Sequence, residues 1–252
     1  MTPPMALVTS AHPSWTKISD YAATLGPEMV HYWRYHKERF LFEVDLMADE
    51  LRNFKGVGTA RLLDIGPSFQ TLMFEEVFGN RLSIDTGGFA DEKFPPPPGG
   101  VHVTLDLNDT DKPETLPQCG PYDLVTCFEV IEHVYVSPLY VLKWLHSIMR
   151  PGGSLLLSTP NAVTLLNRIK LLLGQHPFEK IRLDRTNPGH FREYTRTELI
   201  DFGSEAGFEV KNIYLGNLSS SHSLPSRVLR ALSQFMPPEW RKEITVVFSR
   251  RD

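Results

Sequence analysis

Short apolar runs alternate with helical patterns along most of the chain. Beyond residue 58, runs rich in valine, isoleucine, leucine and phenylalanine are separated by segments whose apolar residues recur every three or four positions. This alternation predicts parallel strands joined by helical crossovers, and so an α/β fold with helices on both faces of the sheet. The predicted strands cover residues 61–65, 81–85, 101–105, 122–128, 154–158, 208–215 and 243–250.

Two longer segments interrupt this alternation. An insertion over about residues 161–190 carries a basic amphipathic segment, which predicts a helix packed on the domain or, alternatively, a lid or a lipid-facing surface. An amphipathic excursion over about residues 217–242 precedes the last strand and predicts packing on the lid, an oligomer contact or a membrane-surface helix. A strand added after such an excursion suits an antiparallel position. We therefore predict a Rossmann-like, mostly parallel seven-stranded sheet with an antiparallel last strand.

The first 55 residues contain no good strand pattern. Residues 26–54 place apolar side chains at mostly three- and four-residue spacing, which predicts helix, and glycines follow before the first strand. We therefore divide the chain into an N-terminal helical cap, residues 1–55, and a main domain, residues 56–252.

The composition limits the classes of protein and of partner. The formal net charge is −4 and the isoelectric point is near 6.1, so nucleic acid is not an expected partner. Two cysteines cannot form a disulfide framework, and neither a secretory signal nor a transmembrane stretch is evident. We therefore expect a cytoplasmic enzyme, with peripheral membrane contact left open and no indication of its oligomeric state.

Acidic residues stand at the ends of the first three predicted strands. Asp64 precedes a turn with a single glycine, Gly66, while Asp85 ends the second strand and Asp106 follows the third. Glycine at the first turn lets backbone amides approach a ligand, and a carboxylate after the second strand can accept hydrogen bonds from ribose hydroxyls. Although the turn alone equally suits an ordinary tight connection, the combination predicts an adenosyl cofactor. A dinucleotide is disfavoured because bulky side chains crowd the turn that its diphosphate would approach.

Four further segments have the residue order of one enzyme family. They read YDLVTCFEVIEHV (residues 122–134), MRPGGSLLLSTPN (149–161), HFREYTRTEL (190–199) and AGF (206–208). With the preceding turn they span about residues 58–215, and they resemble the class I S-adenosylmethionine-dependent methyltransferases. The resemblance implies S-adenosylmethionine as cofactor and methyl transfer as reaction.

The resemblance also implies which residues contact the cofactor. The turn would hold the methionine moiety, the second strand the ribose, the third the adenine, and the end of the fourth would lie along the cofactor. The implied residues are Asp64, Gly66, Pro67, Ser68, Asp85, Thr86, Asp106, Leu107 and Phe128. The turn departs from the family pattern because its later glycine positions hold Ser68 and Gln70.

The run from Glu129 to His133 suggests a second set of functional residues. On a helix, Glu129, Glu132 and His133 would share one face, and two carboxylates with an imidazole suit Mg²⁺, Mn²⁺ or Zn²⁺, with His190 as a fourth ligand. The arrangement resembles the ubiquinone-biosynthesis O-methyltransferases and the small-RNA 2′-O-methyltransferases. In the latter, such a run and a later histidine hold a metal.

A metal-free role of the same residues is the alternative interpretation. In that reading His133 or His190 is the general base and Glu129 assists in the catalytic site, while a purely structural role is the third alternative.

Three functions follow from these observations. The leading hypothesis is methylation of a hydroxyl on a small molecule or glycan. The alternatives are an RNA ribose 2′-O-methyltransferase with a metal-assisted site, and a non-catalytic module that binds the adenosyl ligand. Aromatic residues of the cap either belong to the core or fold over the acceptor pocket; they are His31, Tyr32, Trp33 and His36.

Overall fold

The computed structural model describes residues 13–183, 189–218 and 237–251. It contains a seven-stranded sheet in the order β3-β2-β1-β4-β5-β7-β6, which confirms the predicted number of strands. The strands are β1 (Ala60–Ile65), β2 (Leu82–Gly88), β3 (His102–Thr104), β4 (Tyr122–Phe128), β5 (Met149–Pro160), β6 (Phe208–Gly216) and β7 (Glu243–Arg250). The helices are α1 (Pro13–Leu25), α2 (Pro27–Tyr35), α3 (Lys37–Asn53), α4 (Phe69–Phe78), α5 (Pro138–Ser147), α6 (Leu165–Leu172) and α7 (Arg196–Glu205).

Six of the strands run in one direction and β7 runs in the other. β7 pairs antiparallel with β5 on one side and with β6 on the other, as predicted for the last strand. The central strands β1 and β4 are buried along nearly their whole length, which explains why both appear in the sequence as continuous apolar runs. The Rossmann-like α/β architecture is therefore confirmed.

Two strands are longer than their sequence patterns indicate. β2 continues through Gly87 and Gly88, because the backbone of these glycines pairs with β1 and β3 in register. A side chain at Gly87 would come within 2.7 Å of Ile65 Cδ1, so a larger residue there would require the Ile65 side chain to shift. β5 already begins at Met149, and its register against β4 shifts before Ser154, so the Pro-Gly-Gly sequence lies inside an irregular strand rather than in a turn.

Two hydrophobic layers enclose the sheet. One contains α5 and α7, and the other contains the N-terminal helices together with α4. The predicted single helix over residues 26–54 is divided at His36 into α2 and α3. Phe40 and Met47 of α3 are completely buried in the same cluster as Leu62 of β1, so the cap forms one face of the main core.

Parts of the two interrupting segments lie within the described residues. The basic amphipathic segment of the insertion forms α6, as the pattern predicts. Residues 219–236, which include most of the amphipathic excursion, lie outside the described residues. Within the described residues, no helix combines the length and the apolar character needed to cross a membrane.

Candidate functional site

The carboxyl ends of β1, β4 and β5 meet α3 at one edge of the sheet. Directly after β4, the amide of Glu129 donates to the carbonyl oxygen of Ser158 in β5, and the Ser158 hydroxyl donates to Glu129 Oε1 at 2.9 Å. The other carboxylate oxygen of Glu129 lies 3.5 Å from Nη1 of Arg39 in α3. The cap therefore supplies a guanidinium to the edge at which parallel α/β sheets bind ligands.

Two backbone amides of the turn after β1 donate hydrogen bonds within the protein. Gly66 has a φ of 73°, and its amide donates to the Gly87 carbonyl; Pro67 has no amide hydrogen, and the Ser68 amide donates to Thr71 Oγ1 at 3.0 Å. Ser68 and Thr71 form a capping box that closes the first turn of α4. The amides of Gly66 and Ser68 are therefore engaged within the protein, and approach of a ligand to the amides at the start of α4 stays a prediction. Contact through carbonyls and side chains stays a prediction for Gly66, Pro67 and Ser68.

Asp64 is completely buried and holds this turn in place. Its two carboxylate oxygens accept from Thr71 Oγ1 at 2.5 Å and from Thr126 Oγ1 at 2.6 Å. Burial raises the pKa of Asp64 to about 6, although these hydroxyl hydrogen bonds act in the opposite direction. Asp64 thus links β1, α4 and β4 beneath the turn, and its predicted contact with the cofactor is not tested by these bonds.

Asp85 does not lie at the end of β2, so the predicted position was wrong. The strand continues for three residues beyond it, and its carboxylate faces the start of the neighbouring strands. It accepts from Tyr122 Oη at 3.0 Å, from the Val101 amide at 3.0 Å and from Arg61 Nη2 at 3.2 Å. The adjacent Thr86 hydroxyl pairs with His102 Nδ1 at 2.9 Å. These contacts hold Asp85 within the sheet, and its predicted hydrogen bonds with ribose hydroxyls stay a prediction.

The remaining predicted cofactor residues lie near the same edge of the sheet. Asp106 follows β3 and caps a short 3₁₀ helix, Leu107–Asp111, by accepting from the Asn108 amide at 2.8 Å. Leu107 is buried in the core, and Phe128 is buried in the core layer that includes the cap. Their contacts with the cofactor stay predictions.

Arg39 and Glu43, one helical turn apart on α3, were missed by the sequence analysis. Both are buried, and Arg39 Nη2 donates to Tyr32 Oη at 3.0 Å. Arg39 Nε and both carboxylate oxygens of Glu43 have no hydrogen-bond partner among the described residues, and the same holds for His36 Nδ1. Buried polar atoms are normally paired, so a group of unpaired ones indicates a missing polar ligand. The sequence analysis missed them because charged residues on a helix usually mark its solvent-exposed face, and only the fold shows that these positions are buried.

Carboxyl groups lie close to Arg39 and to one another. The pKa of Glu43 is raised to about 8, first by burial and then by Glu129 and Asp64, against the lowering effect of Arg39. Burial and Glu129 also raise the pKa of Glu132. Two carboxyl groups, those of Glu43 and Glu129, lie against one guanidinium. A cationic group of a ligand beside Glu43 would favour its ionised form, and an anionic group of the same ligand could pair with Arg39.

The structure brings Glu132, His133 and His190 together but not Glu129. One potential ligand atom from each of the three lies within 4.8 Å of the others. The predicted helical convergence was wrong, because Glu129 has a φ of 55° and only a 3₁₀ turn, Ile131–His133, follows it. This backbone turns Glu129 toward Arg39 instead.

The two histidines are held so that the same ring nitrogen of each remains available. His133 Nδ1 is 3.0 Å from the Gly189 carbonyl, which can only accept, and His190 Nδ1 is 3.2 Å from Glu193 Oε1. Both contacts place hydrogen on Nδ1 and leave the Nε2 lone pair of the neutral ring for a proton or a metal. Burial lowers the pKa of His133, whereas the hydrogen bond to Glu193 raises the pKa of His190.

Glu132 completes this group. Its Oε2 accepts from Thr159 Oγ1 at 3.0 Å, while its buried Oε1 has no hydrogen-bond partner among the described residues. The backbone of the turn is also fixed, because the Glu132 carbonyl accepts from the Phe191 amide. Two imidazoles and a carboxylate can accept a proton or, after a small closure, bind one divalent cation.

Comparison with known proteins places this geometry in context. A family model described as a methyltransferase domain matches residues 32–213, which include α3, the turn after β1 and both histidines. A Mycolicibacterium smegmatis protein described as an S-adenosylmethionine-dependent methyltransferase is 36% identical over 36% of this chain and 30% of its own length. A ubiquinone biosynthesis O-methyltransferase of Pseudomonas aeruginosa is 34% identical over 37% of this chain and 39% of its own. The chain therefore matches less than two fifths of the length of these relatives.

The fold itself has solved counterparts at low sequence identity. A Galdieria sulphuraria structure described as a sarcosine dimethylglycine methyltransferase is 14% identical, with a TM-score of 0.53 over 82% of this chain and 84% of that one. At this identity the likeness concerns the fold alone.

Proposed function

The chain belongs to the class I S-adenosylmethionine-dependent methyltransferase family, and from this premise we propose that it methylates a hydroxyl group on a small molecule or glycan. The observation that carries the proposal is the pair of histidines with Nδ1 engaged and Nε2 available, at the sheet edge where Glu129 and Arg39 meet. A hydroxyl is a weak nucleophile until a base removes its proton, whereas an amine needs no such removal once neutral.

The cofactor's polar end fits the buried group on α3. S-adenosylmethionine carries a sulfonium, an ammonium and a carboxylate, so it has net positive charge and supplies an activated methyl group when bound. We propose that Arg39 pairs with its carboxylate and Glu43 with its ammonium, which would satisfy the unpaired atoms of both residues. These side chains would take the place of the amides that the turn after β1 uses internally.

The histidines would act on the acceptor. Nε2 of His133 or His190 would take the proton of the acceptor hydroxyl, and bound S-adenosylmethionine would supply the methyl group to the resulting oxygen, with S-adenosylhomocysteine as the other product. The protonated ring of His190 is stabilised by Glu193, and the Gly189 carbonyl keeps the His133 ring oriented. The proton then passes to solvent.

An open groove lined by Val134 and Phe191, which directly follow His133 and His190 in the sequence, supports an organic acceptor. It has a volume of about 470 Å³ and includes Tyr135 and Phe191, whose rings meet edge to face at 5.6 Å. Aromatic walls suit an apolar ring or a sugar face.

We also propose a divalent cation at Glu132, His133 and His190 as the alternative way to activate the hydroxyl. Each imidazole already has its Nδ1 oriented by an acceptor, as metal-binding histidines usually do. A titration of Mn²⁺ into the apoprotein tests this proposal, with Glu132→Gln as the variant. No heat from the wild-type chain, or equal affinity in both proteins, would exclude the cation.

The reaction is tested with labelled S-adenosylmethionine and acceptors that differ only in the nucleophile. Matched phenols, sugars, amines and carbon acids are compared, and transferred methyl is measured by mass spectrometry. We expect transfer to oxygen in at least one hydroxyl acceptor. Transfer only to nitrogen or carbon would overturn the proposed acceptor class.

A further inference from the structure

The insertion between β5 and α7 exposes a concentrated set of apolar side chains. Thirteen large hydrophobic side chains are exposed among the described residues, and seven of them lie within residues 166–183. These seven are Leu166, Ile169, Leu171, Leu172, Leu173, Ile181 and Leu183. Single exposed apolar residues are ordinary, but a concentration of them marks a surface that meets another apolar medium.

The helix α6 carries its apolar side outward. Leu166, Ile169 and Leu173 follow one another at three- and four-residue spacing, so they share a face, and they are 53%, 43% and 68% exposed. The buried position of this helix is polar: Asn167 Nδ2 donates to the Ala162 carbonyl at 3.0 Å. A helix adapted to water has the opposite arrangement.

Basic residues alternate with these apolar residues along the insertion. Residues 161–183 contain four of them, Arg168, Lys170, Lys180 and Arg182, against one acidic residue, Glu179, although the whole chain has a net charge of −4. Arg168 lies over the Trp240 ring at 5.8 Å, and Lys170 Nζ donates to the Pro177 carbonyl at 2.8 Å. These contacts hold both positive groups beside the exposed leucines.

We propose that residues 165–183 form a docking surface for an anionic phospholipid bilayer. The leucines of α6 would enter the interface between headgroups and acyl chains, and the basic side chains would meet the anionic headgroups. Charge complementarity decides for this partner: the segment has a net positive charge although Arg182 pairs with Glu179 at 3.0 Å, and a purely apolar partner would gain nothing from that charge. The surface adjoins the candidate site, since the insertion returns to Gly189, whose carbonyl orients His133.

Vesicle sedimentation with the full chain tests the proposal. Vesicles of phosphatidylcholine alone are compared with vesicles that also contain phosphatidylglycerol. The variant Leu172→Ser/Leu173→Ser alters two exposed residues, and Val57→Ser is the control, because Val57 is even more exposed but precedes β1 at the opposite edge of the sheet. Thermal melting of all variants checks that the fold is retained.

We expect binding to the vesicles with phosphatidylglycerol and much weaker binding to the others. The double serine variant should reduce the partition coefficient by about tenfold or more, and Val57→Ser should leave it unchanged. Lys180→Gln should reduce it about fivefold, on the anionic vesicles only. Absence of vesicle binding, or equal binding by the serine variant and the wild type, would overturn the proposal. A dimer that the serine variant dissociates, without vesicle binding, would instead identify an interface between two copies.

Discussion

Arg39 Nε lies 3.3 Å from Oε1 of Glu43, one turn further along α3, in the buried space next to Asp64 and Glu129. Neither atom has a hydrogen-bond partner among the described residues, although both are inaccessible to water. Such a pair is costly to fold unless a ligand completes its hydrogen bonds. We interpret the pair as the holder of the zwitterionic end of S-adenosylmethionine.

Replacing Arg39 should weaken cofactor binding. Arg39→Gln removes the charge that would pair with the cofactor carboxylate, and a lost charged hydrogen bond raises the dissociation constant by about ten- to a hundredfold. Calorimetric titration with S-adenosylhomocysteine measures the change. Arg34→Gln on α2 is the control, because that arginine is exposed. Equal affinity in Arg39→Gln and the wild type would show that the guanidinium does not touch the ligand.

Replacing Glu43 should stabilise the apoprotein but weaken its binding of the cofactor. The pKa of Glu43 is raised from 4.5 to about 8 in the folded chain, so its contribution to stability is complete below pH 4.5 and is lost as the pH rises through about 8. Glu43→Gln cannot ionise. Its melting temperature should therefore rise relative to the wild type across this pH window, while its affinity for S-adenosylhomocysteine falls. A melting difference that does not change with pH would contradict the assignment of a strained carboxylate.

Gly66 should not tolerate a side chain. A Cβ there would lie 2.6 Å from Val130 Cγ2, and the φ of 73° adds backbone strain. Gly66→Ala should lower both the melting temperature and the affinity for S-adenosylhomocysteine. Gly174→Ala is the matched control, because Gly174 has a φ of 70° with nothing within 4 Å of the added carbon. If both variants melt alike, the contact with Val130 has no energetic weight, whereas a partial rescue by Val130→Ala would support it.

Removing the imidazole that acts as the base should reduce turnover without affecting cofactor affinity. A general base contributes about 10²- to 10⁴-fold to the rate, so His133→Gln or His190→Gln should reduce kcat by a factor in this range. His176→Gln on the insertion serves as the control, because its imidazole is exposed. Steady-state rates and S-adenosylhomocysteine titrations are compared for the three variants. Unchanged kcat in both histidine variants would exclude them from the chemistry.

The sheet was predictable from the sequence because buried strands are rich in apolar residues. β4 and β7 begin and end as predicted, since each is rich in apolar and β-branched residues. β2 ends later than predicted because Gly87 and Gly88 look like a break in sequence but pair in register in the fold. That difference places Asp85 inside the strand rather than at its end.

The site was only partly predictable, for two physical reasons. Arg39 and Glu43 are spaced like a surface ion pair, and only tertiary packing of α3 against β1 shows that they are buried. The convergence of Glu132, His133 and His190 was expected from residue types, but the left-handed backbone of Glu129 is set by tertiary contacts and removes it from the group.

Calorimetric titration of the full chain with S-adenosylhomocysteine, with and without Mg²⁺, tests the central claim most directly. The account predicts one bound ligand per chain, with affinity that falls in Arg39→Gln and in Glu43→Gln but not in Arg34→Gln. Absence of binding both with and without Mg²⁺ would contradict the assignment of this sheet edge as a cofactor site.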